Sequence, residues 1–527
     1  MQADMVPAFN LWSEPWIDLE LVAGGRARVG IADALLRAHE LRAIVDPSPL
    51  VIAGTHRLLV AILQAIYDPQ RPGDLARLRS QGCFPPAGLD SFGEHYAERF
   101  GLFSVEAPFM QSADLPLRPQ KGDDLKSVSQ LTVETSRSTA LDHYRHGRAL
   151  DEQFCPACAA RGLLCIPAFA SAGGRGIRPS INGVPPVYVL PGGVTLFESL
   201  WASLLLPDYQ PAVRSREEDR PWWVREPVVR RGQEVFGVGY LQSLTFAARR
   251  VRLHPQRIEG TCSRCGEASE WGVRTMIFEA GEHRSKEAPF WQDPFAAYRA
   301  GKADKGPIPV RPRAGVVLWR EYASLFLARQ KDTAAALTMR PLVLDQISDL
   351  TGPMGAGDAT SAFRCVGLRT DMKAKVFEWV DAGFDVPSAM LGDEDAALHV
   401  GRALDFAGEC DHVISFAFRQ HFGGSSKKSE RNRRLKEQML SAYWGSLAAP
   451  FRDFTLALAA AGAGQERLSC SSHWADNALR TAQAAFLDAS RATGDDAVSL
   501  RQRVQGEAAC RSRLWHRRGE FWAARED

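Results

Sequence analysis

The chain has 527 residues, 45% of them hydrophobic and 24% charged, the usual range of folded globular chains and enough for a large core that needs no disulfide framework. Its length allows three or so domains, or a large one and a smaller one. A net charge of only +2 excludes a protein that binds nucleic acid over most of its surface, so any such site is a local patch or is shared with partner chains.

The first residues, Met1-Gln2-Ala3-Asp4, show no basic stretch leading into an apolar one, so no signal peptide is expected. The apolar run Leu58 to Ile66 is too short to span a bilayer and follows His56 and Arg57. A soluble, cytoplasmic protein is expected. Several of the ten cysteines stand alone in apolar sequence, as reduced core thiols do.

In chain order, FNLWSEPWIDLE (9–20) reads as an extended entry and Gly24-Gly25 as a turn. The spacing of Leu35, Leu36, His39, Leu41 and Ile44 predicts a helix over Ile31 to Val45. Ser48 suits an N-cap and Pro49 the first helical position, so a buried helix from Leu50 to Tyr67 follows. Residues 100–180 lack periodicity, and LPLRPQKGDDLKSVSQ and SRSTALDHYRHGRALDEQ read as long loops, which are usually functional. The second loop holds His143, Tyr144 and Arg145 with His146 and Arg148. This mixture suits stacking and phosphate contact and equally a solvated loop. PPVYVLPGG (185–193) is strand-like, Leu196 to Leu206 helical, and 235–320 a run of short strands and turns. After Pro387 the only proline is Pro450. Apolar spacing such as Phe451, Phe454, Leu458 and Leu500, Val504 predicts a bundle of about four helices.

Two C-x-x-C pairs stand out, Cys155-Pro-Ala-Cys158 and Cys262-Ser-Arg-Cys265, the second followed by Gly266. Each puts two thiolates on one tight turn, and together they offer the four corners that zinc takes. Four thiolates leave no open position, so a shared Zn2+ would be structural and would pin the loop-rich segment to the strand-rich one. The alternatives are ordinary reduced cysteines or a redox pair, the latter wanting a βαβ setting that this sequence lacks. Cys165, in an apolar run, reads as core.

Ala172-Gly173-Gly174-Arg175-Gly176-Ile177-Arg178 is glycine-rich with two arginines. Such a loop lets backbone approach a ligand while arginines reach phosphates or base edges, and it also satisfies a plain flexible turn. It is neither a Walker loop nor a dinucleotide fingerprint. No H-E-x-x-H, G-x-S-x-G or deaminase-type H-x-E with P-C-x-x-C occurs, so no catalytic set emerges and a non-enzymatic role is expected. Lys427, Lys428, Arg431, Arg433, Arg434 and Lys436 form a basic run, readable as a solvated helix face or a phosphate-neutralising patch. Leu368 to Trp379 (LRTDMKAKVFEW) follows flexible glycines and reads as a lysine-bearing hairpin, on the surface or entering a groove.

FNLWSEPWIDL, DPSPLVIAGTHRLLVAIL, EAPFMQ (106–111), the CPAC and CSRCG knuckles and GLRTDMKAKVFEW, in this order, resemble the CasA family, the large subunit of type I-E CRISPR surveillance complexes (Cascade). The resemblance is strongest between residues 9 and 380; the C-terminal part matches in helical character. It implies an α+β chain: a large mixed α/β N-terminal domain over 1–380 with the zinc knuckles, then a C-terminal four-helix bundle over 381–527. It implies a non-catalytic subunit. Such a subunit reads the protospacer-adjacent motif (PAM) in double-stranded DNA from the minor groove and helps open the duplex for R-loop formation. Its partners are the other Cascade subunits, the crRNA 5′ handle and a helicase-nuclease. Carried over by residue, the family's glycine loop falls on Ala172, Gly173, Gly174, Arg175 and Gly176, and its wedge hairpin on Thr370 to Lys375. Met372 and Lys373 stand at that tip where some members have glutamine. Arg284 or Lys286 takes the place of a groove-probing lysine. Leu141 to Arg148, with His143, Tyr144 and Arg145, would meet the crRNA handle or the PAM region. Lys375, Lys427, Lys428 and Arg431 complete the expected DNA contacts. The competing expectations are a zinc-dependent nucleic-acid hydrolase, which needs an open metal position with convergent carboxylates or histidines, and a zinc-bearing scaffold without DNA affinity.

Overall fold

The computed structural model describes residues 6–134, 152–173, 176–211, 218–301, 306–327, 338–351, 360–370, 376–423 and 427–523. By its contacts the chain divides into two compact units. One is Met1–Arg313 with Ala335–Ala356 and Ser361–Asp385; the other is Ala314–Ala334 with Gly357–Thr360 and Val386–Asp527.

The first unit begins with a three-stranded antiparallel sheet in the order β2-β1-β3, from β1 (Ile17–Leu21), β2 (Arg26–Val29) and β3 (Leu41–Ile44). The helix expected over Ile31 to Val45 is only α1 (Ile31–Leu36); its second half is β3. Leu41 and Ile44 are buried at a spacing that mimics helical period. Pairing of Leu19 with Ile44 and Leu21 with Leu41 draws them into the sheet instead, so tertiary pairing overrides a weak periodic signal.

Helix α2 (Pro49–Tyr67) starts with Ser48 at the N-cap and Pro49 just inside, as expected, although the Ser48 hydroxyl makes no cap hydrogen bond. It is buried without interruption from Pro49 to Gln64, which explains why its sequence is apolar all round. Among the described helices it alone is long and apolar enough to cross a membrane, and 83% of that window is buried inside the protein. Around it pack α4 (Pro86–Tyr96), α5 (Pro156–Leu164), α6 (Ile166–Phe169), α7 (Leu196–Trp201) and α8 (Tyr240–Leu244), while α3 (Pro72–Gln81) packs on α7. Helix α7 stops short of the expected Leu206. Leu206 is extended (ψ 157°) before Pro207, as the residue preceding a proline prefers.

Two further sheets frame the site. β4 (Leu125–Ser127), β8 (Trp271–Ala280) and β7 (Arg249–Arg257) lie in the order β4-β8-β7. β5 (Tyr188–Pro191) pairs with β12 (Thr360–Thr370), which in turn pairs with β13 (Val376–Pro387). The short ladders β6 (Glu234–Val235) with β9 (His283–Arg284), and β10 (Tyr298–Arg299) with β11 (Ile308–Pro309), fill the strand-and-turn region.

After α9 (Tyr322–Phe326) and α10 (Leu342–Thr351), the second unit's C-terminal part is helical: α11 (Glu394–Phe422), α12 (Lys427–Ser446), α13 (Ala448–Ala460), α14 (Gln465–Arg491) and α15 (Ala497–Ala523). α12 and α13 form one rod broken at Leu447, and both pack on α14. Pro450 accounts for the break, because it has no N–H to give the carbonyl of Ser446. The bundle therefore has four rods made of five helices. Its core includes the Trp319 ring, stacked on Phe451 at 4.8 Å and edge-on to Trp474 at 6.3 Å.

Candidate metal centre and nucleic-acid cleft

Cys155 is the N-cap of α5, so Pro156 at the helix start and one further turn bring Cys158 beside it. The second pair lies beyond β7, on the turn before β8. There Gly266 takes φ +77° and its N–H donates to the Cys262 carbonyl at 2.9 Å, the conformation glycine was expected to supply. The strand entering the first pair is laced to the second. The Ser263 N–H donates to the Gln153 carbonyl at 2.8 Å, and Gln153 Nε2 donates to the carbonyls of Glu259 and Thr261.

The result is a cluster of four sulfurs, from residues 107 apart in sequence at the Cys155–Cys262 contact, all within 4.8 Å of one another. Cys155, Cys158 and Cys262 are buried and Cys265 is half-buried. The Cys155 and Cys265 sulfurs are 3.8 Å apart, the edge of a tetrahedron with metal–sulfur bonds of about 2.3 Å. Hydrogen bonds from the Cys155 and Cys158 thiols, helped by the Cys155 N–H, hold the Cys262 thiol well below its ordinary range. Cys158 is pushed up by its thiol neighbours Cys155 and Cys262 and by burial. A divalent cation held there would reconcile these opposed demands by ionising all four. The four cysteines can hold a metal ion, and Cys165 is core, 1% exposed.

Ion pairs brace the cluster against the first sheet. Arg264, inside the second knuckle, reaches Asp46 at 3.3 Å. Arg161 on α5 pairs with Asp18 at 2.5 Å and Asp46 at 3.7 Å, and Arg28 bridges Asp18 and Glu267.

The glycine loop leaves α6 and returns toward β5. Buried Arg249 on β7 closes its base by donating to the carbonyls of Arg178 and Ser171. Gly176 has φ +82° with nothing within 4 Å of a notional side chain, so the backbone is open to close approach there. Gly173 is half-buried, and Gly174 and Arg175 lie outside the described residues.

Beyond the loop is a cleft of about 610 Å3 whose lining includes Arg178, His283, Arg284, Lys286, Phe290 and Tyr298. Thus the two cations singled out in the sequence, Arg284 and Lys286, share one cavity with the outgoing arm of the glycine loop. Burial lowers the Arg284 pKa, and its guanidinium donates to the carbonyls of Ala288 and Pro289, not to a carboxylate. Phe290 and Tyr298 were missed. The alternation of cation and aromatic in HRSKEAPFW, the same signal noted around His143, would have found Phe290.

Other expected contacts are dispersed. Lys427 and Lys428 open α12, and Arg431 donates to the Ala492 carbonyl at 2.8 Å, capping the end of α14. His143, Tyr144, Arg145, Met372, Lys373 and Lys375 lie outside the described residues.

Comparison with known proteins fits this architecture. Residues 10–491 match the family model described as CRISPR-associated protein Cse1. A CRISPR-associated protein CasA/Cse1 of Thermus thermophilus is 31% identical over 420 residues, 76% of this chain and 75% of that protein. The structure of Thermus thermophilus CasA (Cse1) superposes with a TM-score of 0.76 at 26% identity, covering 97% of this chain and 99% of that one. A chain of a CRISPR RNA-guided surveillance complex shares the fold, with a TM-score of 0.72 at 19% identity over 97% and 100% of the two chains. The chain belongs to the Cse1 (CasA) family, the type I-E CRISPR Cascade subunit family.

Proposed function

We propose that this chain is the large, non-catalytic subunit of a type I-E RNA-guided surveillance complex, and that it reads the PAM in double-stranded DNA and helps open the duplex beside it. The observation that carries the reading is the cleft at the base of the glycine loop. Arg178, Arg284 and Lys286 converge there, and among the described residues no carboxylate is hydrogen-bonded to any of them. Cationic side chains that are not neutralised by a hydrogen-bonded carboxylate suit phosphate contact, and an open glycine backbone suits close approach to a groove. The near-neutral net charge is tolerable when base pairing with the guide reads most of the sequence and partner subunits carry the RNA.

In this reading the four cysteines hold a structural Zn2+, which leaves no coordination position for substrate. Met372 and Lys373, between β12 and β13, wedge the duplex. Lys375, Lys427, Lys428 and Arg431 meet DNA backbone, and His143, Tyr144 and Arg145 meet the crRNA 5′ handle. The subunit then recruits the helicase-nuclease.

The test is gel-shift binding of crRNA-loaded complex, with and without this subunit, to target duplexes carrying a randomised PAM. The subunit is expected to confer motif-dependent binding. Motif-blind binding, or binding unaffected by its omission, would overturn the reading. Met372→Ala with Lys373→Ala is expected to slow R-loop formation while the complex still assembles, as followed by permanganate footprinting. Undiminished opening would remove the wedge assignment.

A further inference from the structure

Strand β7 carries three basic residues at alternate positions, Arg250, Arg252 and His254, and the stretch 104–116, which contains EAPFMQ, meets each of them. Arg250 is neutralised there, its terminal nitrogens reaching Glu279 at 2.9 Å and Asp114 at 2.6 Å. Arg252 is not. It is 1% exposed, and its Nε and Nη1 have no partner among the described residues. Its Nη2 donates to the Val105 carbonyl at 3.4 Å, beyond the usual range of about 2.7–3.2 Å. We infer that Arg252 anchors a binding site for a hydrogen phosphate ion, covered by a strap formed by residues 104–107.

The argument starts from charge. A guanidinium taken out of water without a counter-ion is unfavourable. Burial lowers the Arg252 pKa to about 10, so at neutral pH it stays charged and wants an anion. The unmet donors form a planar fork, which matches the oxygens of a tetrahedral oxyanion.

His254 selects among such anions. Its Nε2 donates to the Pro116 carbonyl at 3.2 Å, and burial, with the Arg252 charge close by, lowers its pKa. The ring is therefore neutral at neutral pH, and its unpartnered Nδ1 is an acceptor. Hydrogen phosphate has a proton to offer that atom. An internal phosphodiester of a nucleic acid has none.

The strap can lift without disturbing the sheet. Its base is clamped by the Phe109 N–H on the Gly101 carbonyl at 3.0 Å and by Gln111. Gln111 Nε2 donates to the Leu102 carbonyl at 2.7 Å, and its Oε1 accepts the Leu253 N–H at 2.8 Å. Phe103 and Phe109 are buried on either side. Between them Val105 is 61% exposed, and the Ser104 hydroxyl accepts the Ala107 N–H within the strap itself. Lifting 104–107 thus gives up the long bond from Arg252 and little apolar burial.

The test follows thermal melting of the full-length chain in inorganic phosphate against chloride, at neutral pH and equal ionic strength. A saturable rise of roughly 2 °C or more is expected. Arg252→Met should melt above the wild type in chloride, having lost the uncompensated charge, and should not respond to phosphate. Arg252→Lys keeps the charge without the fork and serves if Arg252→Met does not fold; it should need at least roughly tenfold more phosphate. The response should persist in Arg284→Ala with Lys286→Ala, which removes the cations of the nucleic-acid cleft. An oligothymidylate lacking terminal phosphates should give no rise that depends on Arg252. The inference is overturned by no saturable rise in the wild type, or by an equal rise in Arg252→Met, which would be the general salting effect of phosphate. Loss of the response in the cleft double variant, or an Arg252-dependent rise with the oligonucleotide, would overturn it as well.

Discussion

Arg57 and Asp293 are 1% and 0% exposed and joined by two hydrogen bonds of 3.2 and 3.0 Å, with the guanidinium lying 4.6 Å over the Tyr188 ring. Losing one partner leaves an uncompensated buried charge, so Arg57→Met is expected to cost about 3–5 kcal/mol in denaturant unfolding. Converting both, with Asp293→Leu added, should recover much of that. The neighbouring His56 is buried too, its Nε2 2.9 Å from the Ser203 hydroxyl. Burial, then the adjacent Arg57 charge, lowers its pKa from 6.5 to about 3. The unfolded chain binds this proton first, so the contribution of His56 is intact above pH 6.5 and is lost as pH falls from there toward 3. His56→Gln should therefore flatten the acid side of the stability profile by up to about 1.4 kcal/mol per pH unit within that window. At the metal centre, Cys262→Ser is expected to lower the melting temperature and abolish bound zinc, since ligation energy is folding energy. Unchanged melting and metal content would remove the zinc assignment.

Among elements, α2 and α5 approach closely at Gly54. A side-chain carbon there would lie 2.5 Å from the Leu164 carbonyl oxygen, and α5 is the helix that carries Cys158. Gly54→Ala is expected to destabilise by about 1–3 kcal/mol, the cost of overpacking, and to loosen metal retention in a chelator-competition assay. The glycine was visible in the sequence but its contact was not, because the sequence does not show which helix crosses α2. The same limit governs the rest. Helix α2, β5, the knuckles and the Gly266 turn were legible because each is set by local chemistry: a proline start, β-branched alternation, paired thiols, a positive φ. The strand β3 was read as helix, and the Arg178–Arg284–Lys286 cleft was not seen as one place, because both depend on pairing between segments far apart in the chain. The broken rod α12–α13 falls between these cases. Pro450 was noticed, but only the packing of both halves on α14 shows that it divides a single rod.

For the molecule as a whole, a net charge of +2 means that the DNA affinity proposed above cannot come from a general positive field. It should rest on few side chains, so Arg284→Ala and Lys286→Ala are each expected to reduce the slope of log affinity against log salt by about one. The Trp319 stack has a different consequence. Trp319 lies far upstream of the bundle in sequence, yet its ring is built into the bundle's core against Phe451 and Trp474. A single protease cut just after Pro387 would therefore sever the chain without freeing the helices. The two pieces should elute together from a sizing column and part only in denaturant, because one fragment keeps an aromatic peg lodged in the other.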